Sequence, residues 1–208
     1  MGSLWNTRDT PYDPESPLRV HLLCSRNKDN AHIEGFKERR CSFVARDCDV
    51  ESVERKFERF VVEGRTGEMC RWYSSLNPRD PDKVCRRLIH RLVDGNVDIA
   101  HLQGDVAGIA ARAECAAEKR WFFDFDDPNA GTLAEFKADL WHAGGFLANG
   151  ETNLIEVRKT PHGFAVVVPH GFDTRELLDP ETGWGDKATL KRDDLLIRAW
   201  DTNAYAND

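Results

Sequence analysis

The chain has 208 residues, 40% of them apolar and 31% charged, with a net charge of −7. That length holds one substantial core, or one core with a small appended lobe, and no apolar run reaches membrane-spanning length. The acidic balance excludes a protein that is basic overall, so any contact with a polyanion has to come from a local patch.

Residues 1–17 are polar and rich in proline and aspartate, which predicts a flexible N-terminal arm and not a signal peptide. Six cysteines (Cys24, Cys41, Cys48, Cys70, Cys85 and Cys115) lie without a CxxC pair, which argues against structural zinc and for reduced thiols in a cytoplasmic protein. Leu18 to Cys24 alternates as a strand, and Cys41 to Ala45 follows as a second after a charged loop. A helix capped by Asp49 carries Val53, Phe57, Phe60 and Val61 at helical spacing and stops near Gly64. Met69 to Leu76 is the next strand, closed by Asn77-Pro78. A helix from Asp80 sets Val84, Leu88, Ile89 and Leu92 on one side and Arg86, Arg87, His90 and Arg91 largely on the other. From Asp98 a three-four apolar spacing through Ile99, Leu102, Val106, Ile109, Ala113 and Ala116 predicts one long helix, with Gly104 and Gly108 permitting close packing.

The segment Lys119-Arg120-Trp121-Phe122-Phe123-Asp124-Phe125-Asp126-Asp127 then runs an aromatic strand into carboxylates. Strand side chains alternate faces, so Asp124 and Asp126 project to one side, roughly 7 Å apart. Such a pair at the end of a buried strand suits a divalent cation with oxygen ligands, Mg²⁺ or Mn²⁺. A strand leaving the core into an acidic turn is the competing reading, with Asp126, Asp127, Pro128 and Asn129 as turn formers. A helix from about Thr132 to Gly144 follows, then strands over 153–158 and 163–168 joined by a bend at Thr160-Pro161-His162-Gly163, and a last strand over 195–200. These elements predict an α+β fold, a mixed or antiparallel sheet with helices packed on it. The expected organisation is one domain over 18–202, divided into 18–118 and a motif-bearing sheet over 119–202, with a tail over 203–208.

Three segments in fixed order, Arg71 to Pro78, Arg120 to Asp126, and Lys159 to Val166, resemble the archaeo-eukaryotic primase and primase-polymerase superfamily. Members show an aromatic strand ending in a small-residue-Asn-Pro element, an hhhDhD strand, and a glycine hairpin bearing a histidine. The resemblance spans about half the chain and implies an RRM-like catalytic core, a nucleoside triphosphate as ligand, DNA or RNA as partner, and a role in DNA replication. Asp124 and Asp126 would be the catalytic, metal-binding carboxylates. Arg158, Lys159, Thr160, His162 and Gly163 would lie near the phosphates. Tyr73, Ser75 and Asn77 would line the other side of the cleft, and Arg86, Arg87 and Arg91 would offer phosphate contacts to nucleic acid. Two features depart from the pattern. Ala165 stands at the histidine position, where a methyl group cannot donate to a phosphate. The later aspartate has only Asp193, Asp194 and Asp201 as candidates. A catalytically degenerate, phage-type member that binds nucleic acid or a protein partner is therefore the alternative.

Other chemistries fit less well. Phe123-Asp124-Phe125-Asp126-Asp127 looks like the first motif of haloacid-dehalogenase-like phosphatases, but Pro128 replaces the expected Thr or Val and about 80 residues remain behind it. A DxD glycosyltransferase usually has a larger nucleotide-binding domain before the motif. A serine or cysteine hydrolase lacks a nucleophile elbow, and His101, His142 and His170 do not cluster.

Overall fold

The structure of the protein, a computed structural model, describes residues 13–95, 97–146 and 155–204. It is an α+β fold with two antiparallel four-stranded sheets. The first half supplies β1 (Leu18–Ser25), β2 (Arg39–Arg46), α1 (Val50–Val62), β3 (Met69–Ser75), α2 (Pro81–Val93) and α3 (Leu102–Ala110). The second supplies β4 (Trp121–Phe125), α4 (Ala130–Gly144), β5 (Glu156–Lys159), β6 (Phe164–Val168), β7 (Ala188–Lys191) and β8 (Leu195–Thr202). Strand order is β2-β1-β3-β8 in one sheet and β5-β6-β4-β7 in the other. Among the described residues no helix is long and apolar enough to cross a membrane.

The helices form where caps and apolar spacing agree. The Asp80 carboxylate accepts from the amides of Asp82 and Lys83 ahead of Pro81, and Asn129 does the same for Gly131 and Thr132 at the start of α4. α1 buries Val53, Phe57, Phe60 and Val61 against Leu23, Phe43, Cys70 and Trp72, covering one face of the first sheet. α4 sets Leu133, Phe136 and Leu140 on Phe123 and Phe125, with Phe136 stacked 4.9 Å from Phe125. Alternation along β4 then turns Phe122 to the opposite face, where it packs with Leu76, Ala165, Val167 and Leu196. This small cluster joins the two sheets, and the cleft lies beside it.

Several expectations are corrected. The predicted long helix from Asp98 is a 3₁₀ turn (Ile99–His101), α3, and a second 3₁₀ turn (Ala113–Cys115). The chain leaves the helix because residues 113–117 bond instead to the segment after β3: Asp80 N–H donates to Cys115 O and Ala117 N–H to Pro78 O. Gly104 and Gly108 do not serve close packing, since among the described residues a Cβ at either would meet no atom within 4 Å outside its own helix turn. On α2 only Val84 is buried, and Ile89 and Leu92 are exposed. The 119–202 segment is not one sheet, because β8 crosses to pair with β3, and β7 completes the second sheet at an edge the sequence reading left empty.

Of the expected arm and tail, the described residues 13–17 and 203–204 are tied to the fold. Residues 1–12 of the arm and 205–208 of the tail lie outside the described residues, as do 153 and 154 of the predicted fifth strand. Arg46 donates to the carbonyls of Pro14 and Ser16, and the Ser16 hydroxyl accepts from Cys48 N–H. Asn203 is buried, donating to Glu68 O from its backbone and to Gly64 O from its side chain.

Candidate functional site

A cleft of about 380 Å³ opens between the sheets. Asp124 and Asp126 both line it, as strand alternation requires. Asp126 follows the end of β4, but its amide donates to Lys187 O at 2.8 Å, which extends the ladder by one residue and keeps the carboxylate on the Asp124 face. Asp124 is partly buried and Asp126 exposed. Burial raises the Asp124 pKa above the usual carboxylate value; the nearby Asp126 and Asp194 charges add to this, and Lys191 and Arg71 oppose it.

The hairpin bend reaches the same cleft. Thr160, Pro161 and His162 line it, and Gly163 holds them there. Gly163 is buried against the end of β4, where a Cβ would stand 2.0 Å from Phe125 O and 3.0 Å from Asp127 N. Only glycine permits that approach of one backbone to another. Within the bend Thr160 N–H donates to Gly163 O at 2.9 Å, and Gly163 N–H to Thr160 Oγ1 at 3.1 Å. Ala165 sits directly opposite Asp124 in the β4–β6 register and also lines the cleft. The position that departs from the sequence resemblance therefore adjoins the carboxylate pair.

The remaining sequence candidates divide. Tyr73 lines the cleft, but Ser75 and Asn77 are buried and spent on internal bonds. Ser75 Oγ accepts from Val20 N–H and donates to Asn77 O. The Asn77 side chain accepts from Arg120 N–H at 2.9 Å and donates to Arg120 O at 3.0 Å and to Asp193 at 3.1 Å, tying β3 to the start of β4. Arg79, almost fully buried, donates to both oxygens of Asp193, so this late aspartate is a structural tie. Asp201 lies at the far end of β8, opposite Cys70. Asp194 lines the cleft.

Arg158 pairs with Glu156, and Lys159 is exposed at the end of β5; neither lines the cleft. Arg86, Arg87 and Arg91 lie on α2, away from it. Arg87 pairs with Glu114 at 2.7 Å, Arg91 with Asp105 at 3.5 Å, and Arg86 donates to Asp82 O.

The same cleft is lined by a group of cations that sequence reading missed, Arg26, Lys28, Arg40 and Arg71, and the Arg71 charge reaches Asp124. Arg71 lies two residues before Tyr73 on β3, so alternation could have placed it beside that tyrosine. The other three come from the end of β1, the β1–β2 loop and β2, and only the folded chain brings them to the cleft of Asp124. Leu22, Phe122 and Ile197 give the cleft an apolar floor.

Among the described residues no group of three or more His, Cys, Asp or Glu side chains is arranged to hold a metal ion. Asp124 and Asp126 are two oxygen-donor carboxylates lining the same cleft, the ligand type that hard divalent cations take. Compared with models of known families, with curated proteins and with solved structures, the chain matches none.

Proposed function

We propose that the cleft binds a nucleoside triphosphate together with Mg²⁺ or Mn²⁺, as a primase-polymerase-like nucleotidyltransferase site. The observation that carries this reading is the meeting, in one cleft, of Asp124 and Asp126 with the Thr160-to-His162 bend. When bound, the cation would screen the phosphate chain and draw charge from the phosphorus under attack. Asp124 and Asp126 would hold it, and the Asp194 charge reaches Asp124. His162 and the Thr160 hydroxyl supply hydrogen bonds to the phosphates from the bend, while the apolar floor at Leu22, Phe122 and Ile197 receives the base. A DNA or RNA strand is the second partner of this reading.

One observation favours a second reading, nucleotide or nucleic-acid binding with little transfer. Ala165 presents a methyl group beside Asp124, where the resembling family carries its phosphate-binding histidine. The test is thermal stabilisation by Mn²⁺ with and without a nucleoside triphosphate, in wild type and in Asp124→Ala/Asp126→Ala. A metal-dependent shift lost in the variant is expected; equal shifts in both proteins would overturn the site. Primer extension on single-stranded DNA then separates the readings. Product that disappears in Asp126→Ala marks a transferase, and binding without product marks the binder.

A further inference from the structure

We propose that the cation group lining the Asp124 cleft is a phosphate-binding site in its own right, in which Arg71 and Arg26, both fixed by Asp29, receive a phosphate group without a divalent cation. Arg71 and Asp29 side chains are each only 5% exposed, and Arg71 Nη2 donates to Asp29 Oδ1 at 2.6 Å. Arg26 takes the other oxygen, Nε to Oδ2 at 2.7 Å, and adds a bond from Nη2 to Oδ1 at 3.1 Å. One carboxylate therefore orients two guanidinium groups. Burial pushes the Asp29 pKa up, but the Arg26 hydrogen bond and the Arg71 charge outweigh it and hold the carboxyl below its usual value.

A buried Arg71–Asp29 pair alone would be explained as a pin between the β1–β2 loop and β3. That role does not account for three further cations, Arg26, Lys28 and Arg40, lining the same cleft. Glu38 is the carboxylate partner of Arg40, and Lys28 has no ion pair among the described residues. Four cations against Asp29 and Glu38 leave the group positive on a chain whose net charge is −7. Among the described residues the buried Nε of Arg71 has no hydrogen-bond partner, and its head keeps only a long 3.5 Å contact to the Tyr73 hydroxyl besides Asp29. A planar guanidinium held in place, with cations beside it, matches the tetrahedral oxygens of a phosphate. The phosphate chain of a nucleotide and the diester backbone of a nucleic acid share that chemistry.

The site does not rest on the metal, and its test removes the metal. Pyrophosphate is titrated calorimetrically in EDTA into wild type, Lys28→Ala/Arg40→Ala, Arg26→Gln and Asp124→Asn/Asp126→Asn. Lys28 and Arg40 are exposed, so that variant keeps its fold. Binding by wild type is expected, at least about tenfold weaker in the first two variants and unchanged or tighter in the third, which loses negative charge from the same cleft. Absence of binding to wild type, equal affinity in the cation variants, or loss in the carboxylate variant would overturn the proposal. An oligothymidylate without terminal phosphate identifies the source: competition with pyrophosphate assigns the site to backbone diesters, and absence of competition assigns it to a phosphate chain. Pyrophosphate binding in EDTA stands even if no metal-nucleotide complex ever binds, so failure of one proposal is distinguishable from failure of the other.

Discussion

Replacing Gly163 by alanine would set a Cβ 2.0 Å from Phe125 O, with Asp127 N at 3.0 Å and Phe125 C at 3.1 Å. All three atoms are backbone, so no side chain can swing aside to make room. Either the 160–163 bend lifts from β4 or β4 yields at the point where it presents Asp124 and Asp126. An overpacked methyl of this kind costs about 1–3 kcal/mol. At about 2–4 °C per kcal/mol for a chain of this size, the expected fall in Tm is roughly 2–12 °C. The functional loss should be selective. Lifting the bend withdraws Thr160 and His162 from the cleft, so nucleotide affinity falls more than affinity for Mn²⁺ alone. Gly104→Ala is the control: it lies inside α3 and, among the described residues, nothing outside its own helix turn stands within 4 Å of the new Cβ. There the substitution should stabilise by up to about 1 kcal/mol. Thermal melts and nucleotide titrations of both variants decide the matter. A Gly163→Ala protein melting within about 1 °C of wild type and binding nucleotide normally would refute the close approach and the role assigned to the bend.

Asp193→Asn leaves the Arg79 guanidinium buried without its carboxylate and should cost about 3 kcal/mol in urea denaturation; a loss under about 1 kcal/mol would remove the tie between the sheets. His21 accepts from Trp72 Nε1 at 3.1 Å, and burial, then the Arg198 charge, depress its pKa to about 4. Both folded and unfolded states are neutral here at pH 7, but between pH 6.5 and about 4 the unfolded state takes up the proton first, so stability falls by roughly 3 kcal/mol as pH drops. His21→Gln should flatten that slope. For Asp124 the sign is opposite: its raised pKa means the folded state holds the proton more tightly, a contribution present at low pH and lost as pH rises through the folded value. Metal-free Asp124→Asn should therefore melt above wild type at pH 7, with the difference closing as pH falls; Mn²⁺ binding to wild type should weaken over the same fall, at a pH above that of an ordinary carboxylate.

Strand β4 was legible because its residues satisfy two demands at once. Phe123 and Phe125 meet α4, while Phe122 and Asp124 turn to the other sheet, and both demands are written in a period of two. The hairpin bend was legible through its glycine. Residues whose placement depends on distant partners were not. The resemblance implies Ser75 and Asn77 as cleft residues, yet the Val20 amide, the Arg120 amide and carbonyl, and Asp193, all from remote segments, consume their polar groups. β7 is four residues long and gains its strand character from pairing with β4. The apolar period after Asp98 outruns its helix because 113–117 bonds to 78–80 instead. Arg26, Lys28 and Arg40 passed as members of a charged loop and its flanks, since nothing local says that they share a cleft with Asp124.

The carboxylate pair is tested most directly by titrating the protein with Mn²⁺ in the presence of a nucleoside triphosphate and counting bound ions by electron paramagnetic resonance. Wild type is predicted to bind one Mn²⁺ per chain through Asp124 and Asp126, and Asp124→Ala/Asp126→Ala to bind none at that site. Equal Mn²⁺ binding by the two proteins, or none by either, would contradict the account.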